Sequence, residues 1–340
     1  MDSTAQTSTE ELRVKITQSK LPSEVSEKLL NLIKFPGSSA ELASLIAYVN
    51  LILTLPFGKY AEDILDIKRA KEILDKNHYG LETVKNRILE YLSVLTLHKQ
   101  KGEANTFHAP ILAFIGLVGT GKTSLAYSIA ESLGRPLVRI PFGGLGDPGT
   151  LRGQSRMRPE SESGLIIKAV SKAKVSNPVI LLDEIDRVAS EYRVDIMGVL
   201  VELLDPAQNM SFTDHYLDFP FDLSQVLFIA TANNTGNIAT AVMDRLEPIQ
   251  MPSYSDQEKL FIGKNYLLPK SLDEAGIDRN MIEIDETLWP QIIRPLGFDG
   301  GIRSLQRSLQ AMSRKLARKI VEGGVGPFKI TPENIGEYLA

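Results

Sequence analysis

The chain has 340 residues, with 38 Lys and Arg against 42 Asp and Glu, a net charge of −4 and a hydrophobic share of 43%. That length suits about two or three domains with packed cores, and the near-balanced charge gives no support for a surface given over to nucleic acid. It holds no cysteine, which excludes disulfides and thiolate zinc sites. No apolar run approaches ~18 residues, so no membrane span is expected. The opening MDSTAQTSTEEL lacks the basic and apolar regions of a secretory signal, so a soluble cytoplasmic protein is the expectation.

Apolar residues recur at helical spacing through 9–34 (Leu12, Ile16, Val25, Leu29, Leu32, Ile33), with Pro22 set to open a second helix. Residues 35–39 read as a loop and 40–54 as a third helix that Pro56 ends. Residues 1–62 are thus expected to form a small helical bundle and linker. Two further helical stretches, 67–75 and 81–99, lead into five short apolar runs that alternate with helices: 111–115, 137–140, 179–182, 226–230 and 248–251. This alternation predicts an α/β fold over 63–252, a parallel five-stranded sheet covered on both faces. After Pro252 the pattern turns helical (256–266, 286–293, 301–321), a mostly helical lid over 253–340, with 282–284 and 328–330 as candidate short strands. The helix 301–321 carries Ile302, Leu305, Leu309, Met312, Leu316 and Ile320 on one stripe.

Within the first apolar run's continuation, Gly116-Leu117-Val118-Gly119-Thr120-Gly121-Lys122-Thr123 matches G-x-x-x-x-G-K-[ST] in full. A strand precedes it and helical spacing follows from Ser124, the context the motif needs. Glycines let successive N–H groups turn inward around a phosphate, and the helix start adds a positive dipole end. Lys122 is set to reach the outer phosphates and Thr123 to meet Mg²⁺. The run 179–182 ends in Asp183-Glu184, at the strand end where open α/β sheets place ligands. There Asp183 is suited to hold Mg²⁺ and Glu184 to activate water. The run 226–230 ends in Thr231-Ala232-Asn233-Asn234, and either Asn is placed to hold the water or the γ-phosphate. Arg245 is a candidate guanidinium acting across a subunit boundary, and Arg303, behind Gly300-Gly301, one that folds back from the second domain. The four histidines, His78, His98, His108 and His215, have no ligand spacing, and there is no G-x-S-x-G elbow.

Together these segments resemble the AAA+ module of Lon proteases. Gly58-Lys59-Tyr60, residues 70–75 and His78-Tyr79-Gly80-Leu81 are similar to that family's linker and adenine-side segment. Residues 205–209, Phe212 and 214–217 are similar to its loop after the acidic strand, and Asp244-Arg245-Leu246-Glu247 with Gly301-Ile302-Arg303-Ser304-Leu305 complete the likeness over about residues 10 to 338. The resemblance implies an AAA+ P-loop NTPase with a helical lid, ATP/ADP and Mg²⁺ as ligands, and a homo-hexameric ring around a pore. It implies that Gly116 to Ser124 and Asp183 bind nucleotide, Thr123 and Asp183 the metal, and that His78 and Tyr79 flank adenine. It assigns Glu184 to hydrolysis, Asn233 as first sensor, Arg303 as second sensor and Arg245 as a finger acting in trans. Unfolded or damaged proteins would be the substrates, passed to a Lon-type serine peptidase domain. DNA binding is a family trait that the charge balance does not support.

Three departures stand out. Leu117-Val118 replaces two prolines usual in the family's glycine loop. Residues 153–164, where the family's pore loop carries an aromatic and an aliphatic residue, offer Met157, Arg158 and Pro159. The chain stops near 337–340, about where the Ser-Lys peptidase would begin, and no segment resembles a nucleophile loop. The expectation is an ATPase module that does not cleave peptide bonds alone. A remodelling ATPase of the same architecture without proteolysis, and a nucleotide-gated scaffold with weak hydrolysis, are the alternatives.

Overall fold

The computed structural model describes residues 3–34, 38–102, 110–158, 160–294 and 299–339. Residues 35–37 of the expected first loop, Pro159 and Ala340 lie outside them.

The chain begins with α1 (Ser3–Gln18), α2 (Ser23–Leu32) and α3 (Ser39–Thr54). Pro22 precedes α2 as expected, and α3 begins one residue earlier than the sequence suggests. Ser38 builds a capping box with Glu41, so the helix starts at Ser39. The next pair is α4 (Ile67–Asn77), capped by the Asp66 carboxylate on Lys68 N and Arg69 N, and α5 (Glu82–Gln100).

The α/β portion then runs β1 (Ile111–Ile115), α6 (Lys122–Leu133), β2 (Leu137–Pro141), a single turn α7 (Gly149–Arg152), α8 (Leu165–Ala173) and β3 (Val179–Asp183). It continues with α9 (Arg193–Leu204), the turn α10 (Pro206–Asn209), a hairpin of β4 (Phe212–Asp214) and β5 (Phe219–Phe221), then β6 (Leu227–Ala232), α11 (Thr240–Met243) and β7 (Leu246–Gln250). Five strands form one parallel sheet in the order β2-β3-β6-β1-β7. The small antiparallel hairpin was not expected from the sequence.

The sheet's two faces separate by strict alternation, as strand pleating requires. Ala113, Ile115, Ile180, Leu182, Phe228 and Ala230 face one core, whereas Leu112, Phe114, Val179, Leu181, Leu227 and Ile229 face the other. The second core takes in α4, α5 and α6. The first includes α8, α9 and, unusually for a leading segment, Leu12, Ile16, Leu29, Tyr48, Val49 and Ile52 of α1 to α3. Polar bonds stitch the same seam. Tyr48 Oη donates to Leu217 O at 2.7 Å, Lys28 pairs with Asp218 at 2.9 Å, and Ser176 N donates to Lys59 O at 2.6 Å.

The last part comprises α12 (Asp256–Ile262), a π-helical segment at Gly263–Leu267, α13 (Leu268–Glu274), β8 (Ile282–Ile284), α14 (Trp289–Ile293), α15 (Arg303–Val321), β9 (Phe328–Ile330) and α16 (Ile335–Tyr338). The stripe on α15 packs as expected: Leu305, Leu309, Met312 and Leu316 are fully buried. β8 and β9 pair in parallel. The helix expected over 256–266 is present, widens to a π-helical turn at Gly263–Leu267 and runs on to Glu274. Pro269 sits in the first turn of α13 and has no N–H to continue the preceding ladder, and the register widens just before it.

Candidate nucleotide site

The glycine loop joins the end of β1 to the start of α6 at the sheet's carboxyl edge. Gly119 and Gly121 adopt φ of +81° and +94°, which a side chain would strain. Lys122 is buried, with its ammonium folded onto the loop: Nζ donates to Gly116 O at 2.6 Å, Leu117 O at 2.9 Å and Asn233 Oδ1 at 3.1 Å. Burial lowers its pKa, against the pull of Asp186, Glu184 and Asp183.

At the end of β3, Asp183 is held at both oxygens. Oδ1 accepts from Thr231 Oγ1 at 2.5 Å and Thr123 Oγ1 at 3.3 Å, and Oδ2 accepts from Arg139 Nε at 2.6 Å. Glu184 follows in a left-handed conformation, φ +58°. Such backbone costs a non-glycine residue about 1–3 kcal/mol and persists only where neighbours over-determine it. Here Glu184 N donates to Thr231 Oγ1 at 2.9 Å. Arg187 Nε stands 3.8 Å from Glu184 Oε2. Asp186, also buried, accepts from the amides of Asn233 (3.0 Å) and Asn234 (3.3 Å) and from Asn234 Nδ2. The two asparagines are thereby distinguished: Asn234 turns to Asp186, and Asn233 turns to Lys122.

The second domain closes the site from above. Ile302 N donates to Gly119 O at 3.0 Å, Tyr254 N to Gly300 O at 3.0 Å, and Gly301 N to Asp299 Oδ1 at 3.0 Å. Lys259 Nζ also donates to Asp299 O. The approach is close enough that a methyl on Gly301 would stand 2.3 Å from Val118 O. The start of α15 therefore rests directly on the glycine loop.

A cavity of about 460 Å³ results, lined by Val118, Gly119, Gly121, Lys122, Thr123 and Ser124 from the loop, Asp183, Glu184 and Asn233 from the strand ends, and Ile302 and Arg303 from the lid. Arg139, Arg187 and Gln306 complete it. These three, with Thr231 and Asp186, were not singled out in the sequence. A strand Arg or Thr carries no local signal until the fold brings it beside the acid pair.

The residues suit a polyphosphate with its metal. Asn233 Nδ2 is a buried donor with no acceptor among the described residues, the glycines leave room for phosphate oxygens, and the Thr123 hydroxyl and Asp183 carboxylate meet as two hard oxygen donors.

His78, Tyr79 and Arg245 lie outside this lining. His78 is buried against α6, its Nε2 2.9 Å from Ser128 Oγ, and Tyr79 stacks on Phe261 at 4.1 Å between centroids. Arg245 is tied to Asp205 (2.7 Å) and Ala241 O (2.8 Å), while its Nε has no acceptor among the described residues.

The loop expected to contact substrate, 153–164, is clamped at its base by Asp214. That buried carboxylate accepts from Gly164 N at 2.7 Å, Tyr216 N at 2.8 Å and Leu217 N at 3.1 Å. Arg156 lies 3.9 Å over the Tyr48 ring, and Met157 is 92% exposed.

A parallel sheet with a phosphate loop after β1, an acid pair after β3 and a helical lid seated on the loop defines an AAA+ P-loop ATPase module. Residues 112–254 match the model of the ATPase family associated with various cellular activities, and residues 273–328 match that of the Lon protease AAA+ ATPase lid domain. The chain is 44% identical over 335 residues to the Lon protease of Lawsonia intracellularis, covering 97% of this chain and 40% of the relative. It is 42% identical over 340 residues to Lon protease 2 of Thermus thermophilus, covering 97% and 42%, and 44% identical over 316 residues to the Lon protease of Aquifex aeolicus, covering 93% and 39%. The chain belongs to the Lon family and corresponds to its AAA+ ATPase region. It spans about 40% of the length of these curated relatives.

Proposed function

We propose that this module binds ATP with Mg²⁺, hydrolyses it, and serves as the motor that unfolds protein substrates for a Lon-type serine peptidase domain. The observation that carries the reading is the convergence of Lys122, Thr123, Asp183, Glu184, Asn233 and Arg303 on one cavity, although they come from four separate elements and two domains. In this reading the loop amides and Lys122 hold the outer phosphates, and Thr123 and Asp183 hold the metal. Mg²⁺ neutralises charge on the phosphates and fixes their orientation. Glu184 orients a water and accepts its proton as the water oxygen bonds to the γ-phosphorus and ADP leaves. Asn233 and Arg303 contact the γ-phosphate, His78 and Tyr79 border the adenine side, and Arg245 completes the site of a neighbouring copy in a homo-hexamer.

The cytoplasm is the proposed compartment. Among the described residues no helix is long and apolar enough to cross a membrane.

Calorimetry with ATP and ADP tests the reading. The parent chain takes up nucleotide, Lys122→Ala weakens it roughly tenfold or more by removing a charge-assisted contact, and Glu184→Gln binds normally but turns over roughly 10²–10⁴-fold more slowly. No uptake by the parent, or undiminished turnover in Glu184→Gln, overturns it.

A further inference from the structure

Thr231 lies at the end of β6 and is fully buried. Its hydroxyl has one proton and two lone pairs, and the structure uses both functions toward the acid pair. It donates to Asp183 Oδ1 at 2.5 Å and accepts from Glu184 N at 2.9 Å. No other side chain among the described residues bonds to both members of the pair. Asp183 can draw on Arg139 and Thr123 as well. The backbone of Glu184 has less support. It sits at φ +58°, and the hydrogen bond its amide makes is the one to Thr231.

The consequence for direction is specific. With φ positive, the Glu184 side chain leaves β3 toward the cavity, where its Oε2 comes within 3.4 Å of a position a side chain would fill at Gly143 and 3.8 Å from Arg187 Nε. Were the backbone to relax into the ordinary β or right-handed helical region, the direction in which the side chain leaves β3 would change with it. The same hydroxyl proton fixes which oxygen of Asp183 faces Thr123 and which faces Arg139.

We propose that Thr231 is a positioning residue for the acid pair: one hydroxyl sets the rotamer of the metal-side carboxylate and the backbone twist that aims the hydrolytic carboxylate. The proposal rests on the ATPase reading of the cavity and adds a residue outside the phosphate loop and acid pair to it. Thr231 does not line the cavity.

The test separates hydroxyl from methyl. Thr231→Val keeps volume and shape but removes both hydrogen bonds, and Thr231→Ser keeps the hydroxyl and removes the methyl. Fluorescent ADP binding, in EDTA and across a Mg²⁺ titration, is measured beside ATP turnover, thermal unfolding and a crystal structure of Thr231→Val. Thr231→Val should bind ADP in EDTA within threefold of the parent, require several-fold more Mg²⁺ for the metal-dependent gain in affinity, and lose at least tenfold in kcat with KM little changed. Its Glu184 should leave the left-handed region. Thr231→Ser should retain at least a third of the parent's kcat. Thr231→Val with the parent's kcat, Mg²⁺ requirement and Glu184 backbone overturns the proposal. So does Thr231→Ser impaired as deeply as Thr231→Val, which would assign the effect to methyl packing. A parent chain that takes up no nucleotide would instead defeat the reading of the cavity, and the Glu184 backbone in the Thr231→Val crystal would still decide the hydroxyl's role.

Discussion

A single methyl group at Gly301 should uncouple the lid from the nucleotide site. Gly301 is not in a left-handed conformation, so alanine is tolerated by its backbone and the obstacle is space alone. The added carbon would stand 2.3 Å from Val118 O, 2.8 Å from Gly119 C and 2.9 Å from Gly119 Cα. Ordinary carbon contacts lie at about 3.5–4.0 Å, so the start of α15 must withdraw by roughly 1 Å. Overpacking of this kind costs about 1–3 kcal/mol, and losing the bond from Ile302 N to Gly119 O adds about 1 kcal/mol. The catalytic penalty should exceed the structural one, because Arg303 moves with Ile302 and a misplacement of about 1 Å can cost about 10²-fold in rate. Gly301→Ala is therefore expected to turn over ATP at least tenfold more slowly, with a modest fall in melting temperature. The control is Gly198→Ala within α9, where an added carbon meets nothing within 4 Å; it should stabilise by about 0.4–1 kcal/mol. ATP turnover and thermal melts on the three proteins decide the matter. Parental turnover in Gly301→Ala would refute the view that the lid reads the loop through this seam.

Two further outcomes follow from the electrostatics. Burial, with Lys85 nearby, lowers the pKa of His78 to about 4 from an ordinary 6.5. The unfolded chain then takes up the proton first as pH falls, so the stability this group contributes is whole above pH 6.5 and is lost as pH drops toward 4. Linkage gives a loss of about 2 kcal/mol by pH 5. Melts of the parent should fall over that window and those of His78→Gln should fall less; parallel curves would exclude His78 as the source. In Arg139→Gln the second oxygen of Asp183 is freed from its guanidinium. The Mg²⁺ concentration that half-saturates the metal-dependent gain in ADP affinity should drop by roughly threefold to tenfold, about what an unscreened charge near a partly exposed site supplies. An unchanged or raised requirement would mean that Arg139 supports the carboxylate rather than competing for it.

Much of this architecture could be read from residue order because its signals are local. The glycine loop announces itself through Gly119, Gly121, Lys122 and Thr123, and the apolar run before Asp183 is short and uninterrupted, as a strand buried on both faces must be. What stayed hidden was set by distance in space rather than in sequence. Arg139 lies in a strand of alternating burial, where an exposed Arg is the ordinary occupant. Thr231 is a β-branched residue in a strand, which is what any strand prefers; its bonds to Asp183 and Glu184 span 48 and 47 positions. The contact of Ile302 with Gly119 joins two domains. The π-helical widening at Gly263–Leu267 within a helix whose apolar spacing looked regular was hidden, since periodicity does not register a proline's missing donor one turn downstream.

The leading helices carry a mechanical implication. Leu29, Tyr48, Val49 and Ile52 are as deeply enclosed as any sheet residue, and they share an apolar interior with Ile180 and Leu182. Arg156, on the exposed loop, leans on Tyr48 as well. A segment fastened this way cannot act as a tether that swivels freely. Any displacement of the sheet would carry α1–α3 with it, and a load applied to those helices would be felt in turn at the strand ends where the carboxylates sit.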